Sequence, residues 1–214
     1  MERFIERDIT FANGVVGENI DVASASPGNF HSAITEPDAM SEEMIDGKLF
    51  MPAAVGSDPH PCVIIVPGSL GIAPSHLAHA ETLNALGFAT FVLDPFGPRG
   101  VSSTVANQAQ YSFAASAYDV LAALKTLAAD PRIDAERIGA QGHSRGGSAV
   151  LMAATTRLAQ AVGVGTLNAV LAAYPWMGQQ FLDPRVGRTR VRMLIGDRDE
   201  WCSPQQVQGY AQAL

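Results

Sequence analysis

Ile138-Gly139-Ala140-Gln141-Gly142-His143-Ser144-Arg145-Gly146-Gly147-Ser148-Ala149-Val150 reads as a strand, a sharp turn and the start of a helix. Ser144 stands at the tip of the turn, inside Gly142-x-Ser144-x-Gly146, the nucleophile-elbow pattern. A serine on so tight a turn takes a strained backbone. The residues two before and two after it must therefore lack bulk, which glycine provides. The hydroxyl then stands clear of a sheet at a helix N-terminus, where free N–H groups and the helix dipole favour a developing negative charge.

The five-residue pattern is weak alone in a chain with 20 glycines. Its context gives it weight. Asp134-x-x-Arg137-Ile138 is a turn feeding a short apolar strand, and Ser148 to Leu158 is a small-residue stretch that suits a helix lying close on a sheet.

Working outward, Cys62-Val-Ile-Ile-Val66 is an apolar run typical of a strand buried on both faces, with Cys62 as packing. Ser75 to Leu86 reads as a helix closed by Gly87, Phe88 to Leu93 as a strand, and Phe113 to Ala129 as a long helix stopped by Asp130-Pro131. Ala169–Ala173 and Val191–Ile195 complete the series of strands. Strands alternating with helices predict an α/β protein, a mostly parallel, doubly wound sheet with helices on both faces. Before it, Asn13-Gly14 signals a hairpin between residues 3–11 and 15–22, and Gly47–Met51 reads as a further strand. These N-terminal strands are expected to form an antiparallel edge. Residues 23–43 read as a loop.

The 214 residues fit one domain, and 47% hydrophobic against 16% charged residues promise a sizeable core. A net charge of −7 with no basic stripe argues against nucleic acid, and no apolar run is long enough to span a membrane. The acidic start lacks the pattern of a signal peptide, so a cytoplasmic location is expected. Two cysteines imply no disulfide framework.

Ligands of such sheets bind beyond the carboxyl ends of the strands. Acyl transfer needs a nucleophile, a base, a group that orients the base, and donors for the oxyanion. Ser144 is the candidate nucleophile. The backbone N–H of Arg145 is one oxyanion donor, and Ser69 or its neighbour, in Pro67-Gly68-Ser69-Leu70-Gly71, is the second. Asp197, Asp199 and Glu200 compete as the acid, with Asp199 preferred because a short loop must reach over the sheet. His143 and Arg99 are candidates to line the substrate. Arg99 and Arg145 are candidates to hold a carboxylate, and a structural ion pair weighs equally. His76 and His79 have helical i, i+3 spacing but no third ligand nearby, so a solvated face is preferred to a metal site. No cofactor or metal is expected.

The chain resembles the dienelactone hydrolase family of α/β-hydrolases, through Val66-Pro-Gly-Ser-Leu-Gly71, Asp94-Pro-Phe-Gly-Pro-Arg-Gly100, Gly142-His-Ser-Arg-Gly-Gly147 and Gly196-x-x-Asp199. The resemblance runs roughly from Gly47 to Pro204. It implies an α/β-hydrolase fold and cofactor-free hydrolysis of small esters or lactones. It places the acid three residues after a glycine, which is Asp199. Founding members use a cysteine nucleophile, and serine here points toward a general carboxylesterase. The family's histidine base lies well beyond the acid, whereas His31, His60, His76, His79 and His143 all precede Asp199 and the chain ends fifteen residues after it. The expectation is therefore a C-terminally incomplete hydrolase domain, with a capped helix from Ser203-Pro204-Gln205-Gln206 and an open apolar edge at 191–195 prone to self-association. Two other readings stand beside it. One is a catalytically impaired hydrolase-fold binding protein, and the other is acyl transfer to an acceptor other than water.

Overall fold

The computed structural model describes residues 2–53 and 59–214. Its seven strands are β1 (Glu18–Ala25), β2 (Glu42–Phe50), β3 (His60–Val66), β4 (Ala89–Asp94), β5 (Ile133–His143), β6 (Ala169–Ala173) and β7 (Arg190–Leu194). They form one sheet in the order β1-β2-β4-β3-β5-β6-β7. From β4 to β7 every pairing is parallel, and β1 and β2 are the antiparallel edge that the sequence predicts. The helices are α1 (Phe30–Thr35), α2 (Pro74–Ala85), α3 (Phe113–Ala128), α4 (Arg145–Ala153), α5 (Thr156–Val162) and α6 (Pro204–Ala213).

Strand residues alternate between two cores. Ile64, Phe91 and Leu93 face the larger one with α3 and α4, and Ile65 and Val92 face the smaller one with Leu77 and Leu83 of α2. A strand covered on both faces must be apolar at every position, which explains the unbroken run in β3. The chain leaves β3 for β4 on one side and returns to β5 on the other. This switch opens a crevice at the carboxyl end of β3.

Three local expectations need correction. The Asn13-Gly14 turn forms, with Gly14 at φ 83°, but it closes only a single bridge, Thr10 to Val16. Phe4–Glu6 is a 3-10 turn, and Phe4 and Phe11 insert into the smaller core instead of extending a hairpin. The stretch 23–43 is not simply a loop: β1 runs to Ala25, and Asn29 caps α1 by accepting from the Ser32 N–H at 2.9 Å. The helix after the elbow breaks into α4 and α5 because Thr155 turns its hydroxyl back onto the Met152 carbonyl, 2.7 Å away.

β7 is an outer edge, and its residues alternate between exposed and half-buried. No helix of the described residues is long and apolar enough to cross a membrane.

Candidate active site

The elbow is built from close backbone approach. Ser144 has φ 52°, in the left-handed region that a side chain enters only under constraint. Its N–H donates to the Ala173 carbonyl at 2.9 Å, locking the turn to β6. A side chain at Gly142 would overlap the Gly146 carbonyl. One at Gly146 would overlap the Val66 carbonyl and lie 2.5 Å from that of Pro67. Gly68 closes the other side, where an added Cβ would lie 3.4 Å from the Ser144 Cβ. Ser144 itself stays half-exposed, while every residue of α4 behind it is buried.

Ser144 opens onto a cavity of about 410 Å³. Gly68, Ser69, His76, His143, Asp199 and Cys202 line it, with Leu70, Val105, Tyr174 and Trp201 at its rim. The structure thus brings Ser144, Ser69, His143 and Asp199 together at the carboxyl edge of the sheet. Asp197 is exposed and does not line this space. One Asp199 oxygen, Oδ1, accepts from the N–H groups of Trp201 (2.9 Å) and Cys202 (2.8 Å), which folds the loop and fixes the carboxylate. Arg145 N–H is at the first position of α4, where no intrahelical acceptor exists, so it is available to an oxyanion.

Arg99 is the correction. It does not line this cavity. Its guanidinium is buried in a two-pronged pair with Asp119, at 2.9 and 3.0 Å, and also holds Ser26 and the Pro95 carbonyl. Tyr111 and Ser24 donate to the same carboxylate. This network ties β1 to α3 and the loop after β4, and it leaves Arg99 no free fork for a substrate. The Arg145 side chain is likewise engaged, donating to Ser116, Gln108 and the Tyr111 carbonyl. Burial lowers its pKa to about 10.

The histidines are more concentrated than their sequence positions suggest. His76, His79 and His143 cluster, with the His143 ring 4.9 Å from His76 and 5.1 Å from His79. His76 is buried and not part of a solvated face. Its Nδ1 accepts the Ala73 N–H at 2.9 Å, capping α2. A neutral ring that accepts at Nδ1 carries its proton on Nε2, so His76 presents a donor and not a base. Burial lowers its pKa. His143 is pushed down to about 4, first by burial and then by its two histidine neighbours. Among the described residues no group of three or more His, Cys, Asp and Glu is placed to hold a metal ion.

Three contributors escaped the sequence reading. Tyr174, directly after β6, holds φ 40° and stands at the cavity rim. Its place at a strand's carboxyl end was the available signal. Cys202 puts its thiol at the Ser144 side chain, and burial followed by the Asp199 charge raises its pKa. A second cavity that also reaches Ser144, about 310 Å³, is walled by Phe113, Trp176 and Trp201 with Ser69, Gln108 and Arg145. Phe113 and Trp176 stack at 4.7 Å, and the Arg145 guanidinium covers Phe113 at 4.2 Å.

A prediction for acid stability follows from these protonation equilibria. His143 titrates below its ordinary 6.5, so its contribution is present above pH 6.5 and is lost as pH falls toward about 4. Asp46, buried beside Asp94 and paired with Arg3, is raised to about 6. Its contribution runs the other way, being full below 3.8 and lost as pH rises through 6. The two oppose each other between pH 4 and 6, where each tenfold change in proton affinity on folding is worth about 1.4 kcal/mol. Asp46→Asn should therefore steepen the loss of stability on acidification over that window. Urea midpoints measured from pH 7 to pH 4 test this, and an unchanged slope contradicts it.

The prolyl oligopeptidase family model matches residues 74–166. A comparison with curated proteins gives no match. Solved structures align over most of the chain. A dienelactone hydrolase-like promiscuous phosphotriesterase from metagenomic libraries has a TM-score of 0.64 at 20% identity, over 92% of this chain and 77% of that one. A putative dienelactone hydrolase from Klebsiella pneumoniae has a TM-score of 0.62 at 19% identity, over 92% and 80%. An α/β hydrolase from a Medee basin deep-sea metagenome has a TM-score of 0.61 at 19% identity, over 91% and 76%. With its strand order, its elbow and these likenesses, the chain has the α/β-hydrolase fold.

Proposed function

We propose that the chain is a serine hydrolase acting on small carboxylic esters or lactones through an acyl-enzyme on Ser144. The observation that carries this reading is the elbow, with Ser144 at φ 52°, facing Gly68 and sharing a cavity with Asp199. In this reading Ser144 Oγ attacks the ester carbonyl and loses its proton to a base. The Arg145 and Ser69 N–H groups receive the oxyanion, and collapse of the intermediate expels the alcohol. Water then releases the acid. Asp199 is the carboxylate that orients the base. The dienelactone hydrolase-like phosphotriesterase and the putative dienelactone hydrolase among the structural neighbours support the reaction class.

Two observations favour a second reading, a catalytically impaired hydrolase-fold protein. His76 is fixed as a donor by the Ala73 N–H, and His143 is buried. Stopped-flow and steady-state hydrolysis of p-nitrophenyl acetate separate the two. The hydrolase reading expects sustained turnover, or at least a burst of one nitrophenol per chain. Neither burst nor turnover from folded protein would leave the second reading.

We also propose that the β7 edge mediates self-association. Leu194 is exposed on that edge, and an unpaired strand invites another chain. Sedimentation at rising concentration should show association that Leu194→Lys suppresses. A monomer at every concentration argues against it.

A further inference from the structure

The two cavities that meet at Ser144 differ in chemistry. The larger holds Asp199 and the two histidines, the groups able to handle protons. The smaller holds no carboxylate and no histidine, and three of its walls are aromatic. In ester cleavage the leaving oxygen must depart where a proton can be delivered, toward Asp199. The acyl substituent is then left for the smaller cavity, beside the oxyanion donors and the aromatic walls. Ser69 and Arg145, whose N–H groups are those donors, line the smaller cavity too.

We propose that this smaller cavity is an aromatic acyl subsite, so that the preferred substrate is an ester of an aryl carboxylic acid. The inference rests on the serine hydrolase reading and names its substrate class. Its volume, about 310 Å³, is at the low end for a small-molecule site, enough for one ring and its linker. The stacked Phe113–Trp176 pair, with the Arg145 guanidinium over Phe113, is a rigid wall against which a third ring packs edge-on or offset. Trp201 faces it from the loop after β7. At 69% exposed it is an unusually open aromatic, and it lines both cavities. The Arg145 donors are already used by Ser116, Gln108 and Tyr111, so the wall offers a ring surface and not a carboxylate fork.

Both tryptophans of the chain, Trp176 and Trp201, line this subsite, so intrinsic fluorescence reports on it without any turnover. The probes are acetophenone and 2-octanone, uncleavable ketones of equal carbon number. Acetophenone should bind at least tenfold more tightly. Trp176→Leu and Trp201→Ala should each weaken acetophenone fivefold or more and leave 2-octanone within twofold. Equal binding of the two ketones would overturn the proposal, and that comparison needs no variant. So would loss of acetophenone binding on Tyr174→Ala alone, which would place the ring in the larger cavity. Fluorophosphonate labelling in the same samples keeps the two readings apart. Acetophenone selectivity without labelling of Ser144 would sink the hydrolase reading, and labelling without selectivity would sink the aromatic subsite.

Discussion

Ser144→Ala is expected to abolish covalent capture of the chain by a fluorophosphonate and to remove any burst with p-nitrophenyl acetate. The reason is positional. Ser144 is the hydroxyl that stands half-exposed at φ 52° between the two cavities, in front of the first free N–H of α4. Two neighbouring hydroxyls are committed. Ser69 donates to Gln108 at 3.1 Å, and Ser148 donates to the Trp176 carbonyl at 2.5 Å. Where a full set of catalytic groups operates, loss of such a serine costs on the order of 10⁶ in kcat. Where the base is missing, the fall in turnover is smaller but the loss of labelling is still complete. Peptide mapping of the adduct is the measurement. A label retained at another residue of the Ala variant would reject Ser144.

Gly146→Ala should be among the most damaging single-methyl additions in the chain. The new Cβ would overlap the Val66 carbonyl and approach that of Pro67, both backbone groups at the end of the central strand β3. Neither can swing aside as a side chain tip would. Relief requires α4 to lift from the sheet, yet all nine of its residues are buried. Overpacking of this kind costs about 3 kcal/mol or more, which for a domain of this size lowers the melting temperature by roughly 6–12 °C. A scanning calorimetry trace within 2 °C of the parent would show that the elbow is looser than described. Gly165→Ala is the matched control, since a Cβ there meets nothing within 4 Å.

The sheet was legible because its strands announce themselves in two ways. β3 carries an unbroken apolar run from Cys62 to Val66 and β4 one from Phe91 to Leu93, as doubly covered strands do, and the elbow joins β5 to α4 in five residues. Placing Ser144 and Asp199 in one cavity needed only the rule that loops at strand ends converge. Arg99 and the histidines were harder for a shared reason. Arg99 meets Asp119 across twenty residues of chain, and His143 meets His76 and His79 across more than sixty. Neither partner is marked by local spacing. The capping role of His76 was hidden because imidazole is an unusual acceptor at that helix position, where the sequence signal is a carboxylate or amide. The N-terminal segment misled because Phe4, Ile9 and Phe11 alternate in part with charged neighbours, yet the Phe4 and Phe11 rings fill a pocket beside Phe50, with Phe11 and Phe50 stacked at 4.1 Å.

The fully buried α4 behind Ser144 has a consequence for how the site opens and closes. Amide protons along α4 and the end of β5 are expected to exchange with solvent only on global unfolding, which hydrogen exchange would show. Asp199 belongs to a different stability class. It hangs from the edge strand β7, paired on one side only, and its loop is held by the two Asp199 hydrogen bonds. Exchange there needs only a local excursion. The nucleophile and the acid are thus carried by units that open at different free energies. Mild denaturant should detach the acid from the cavity well before it disturbs the serine.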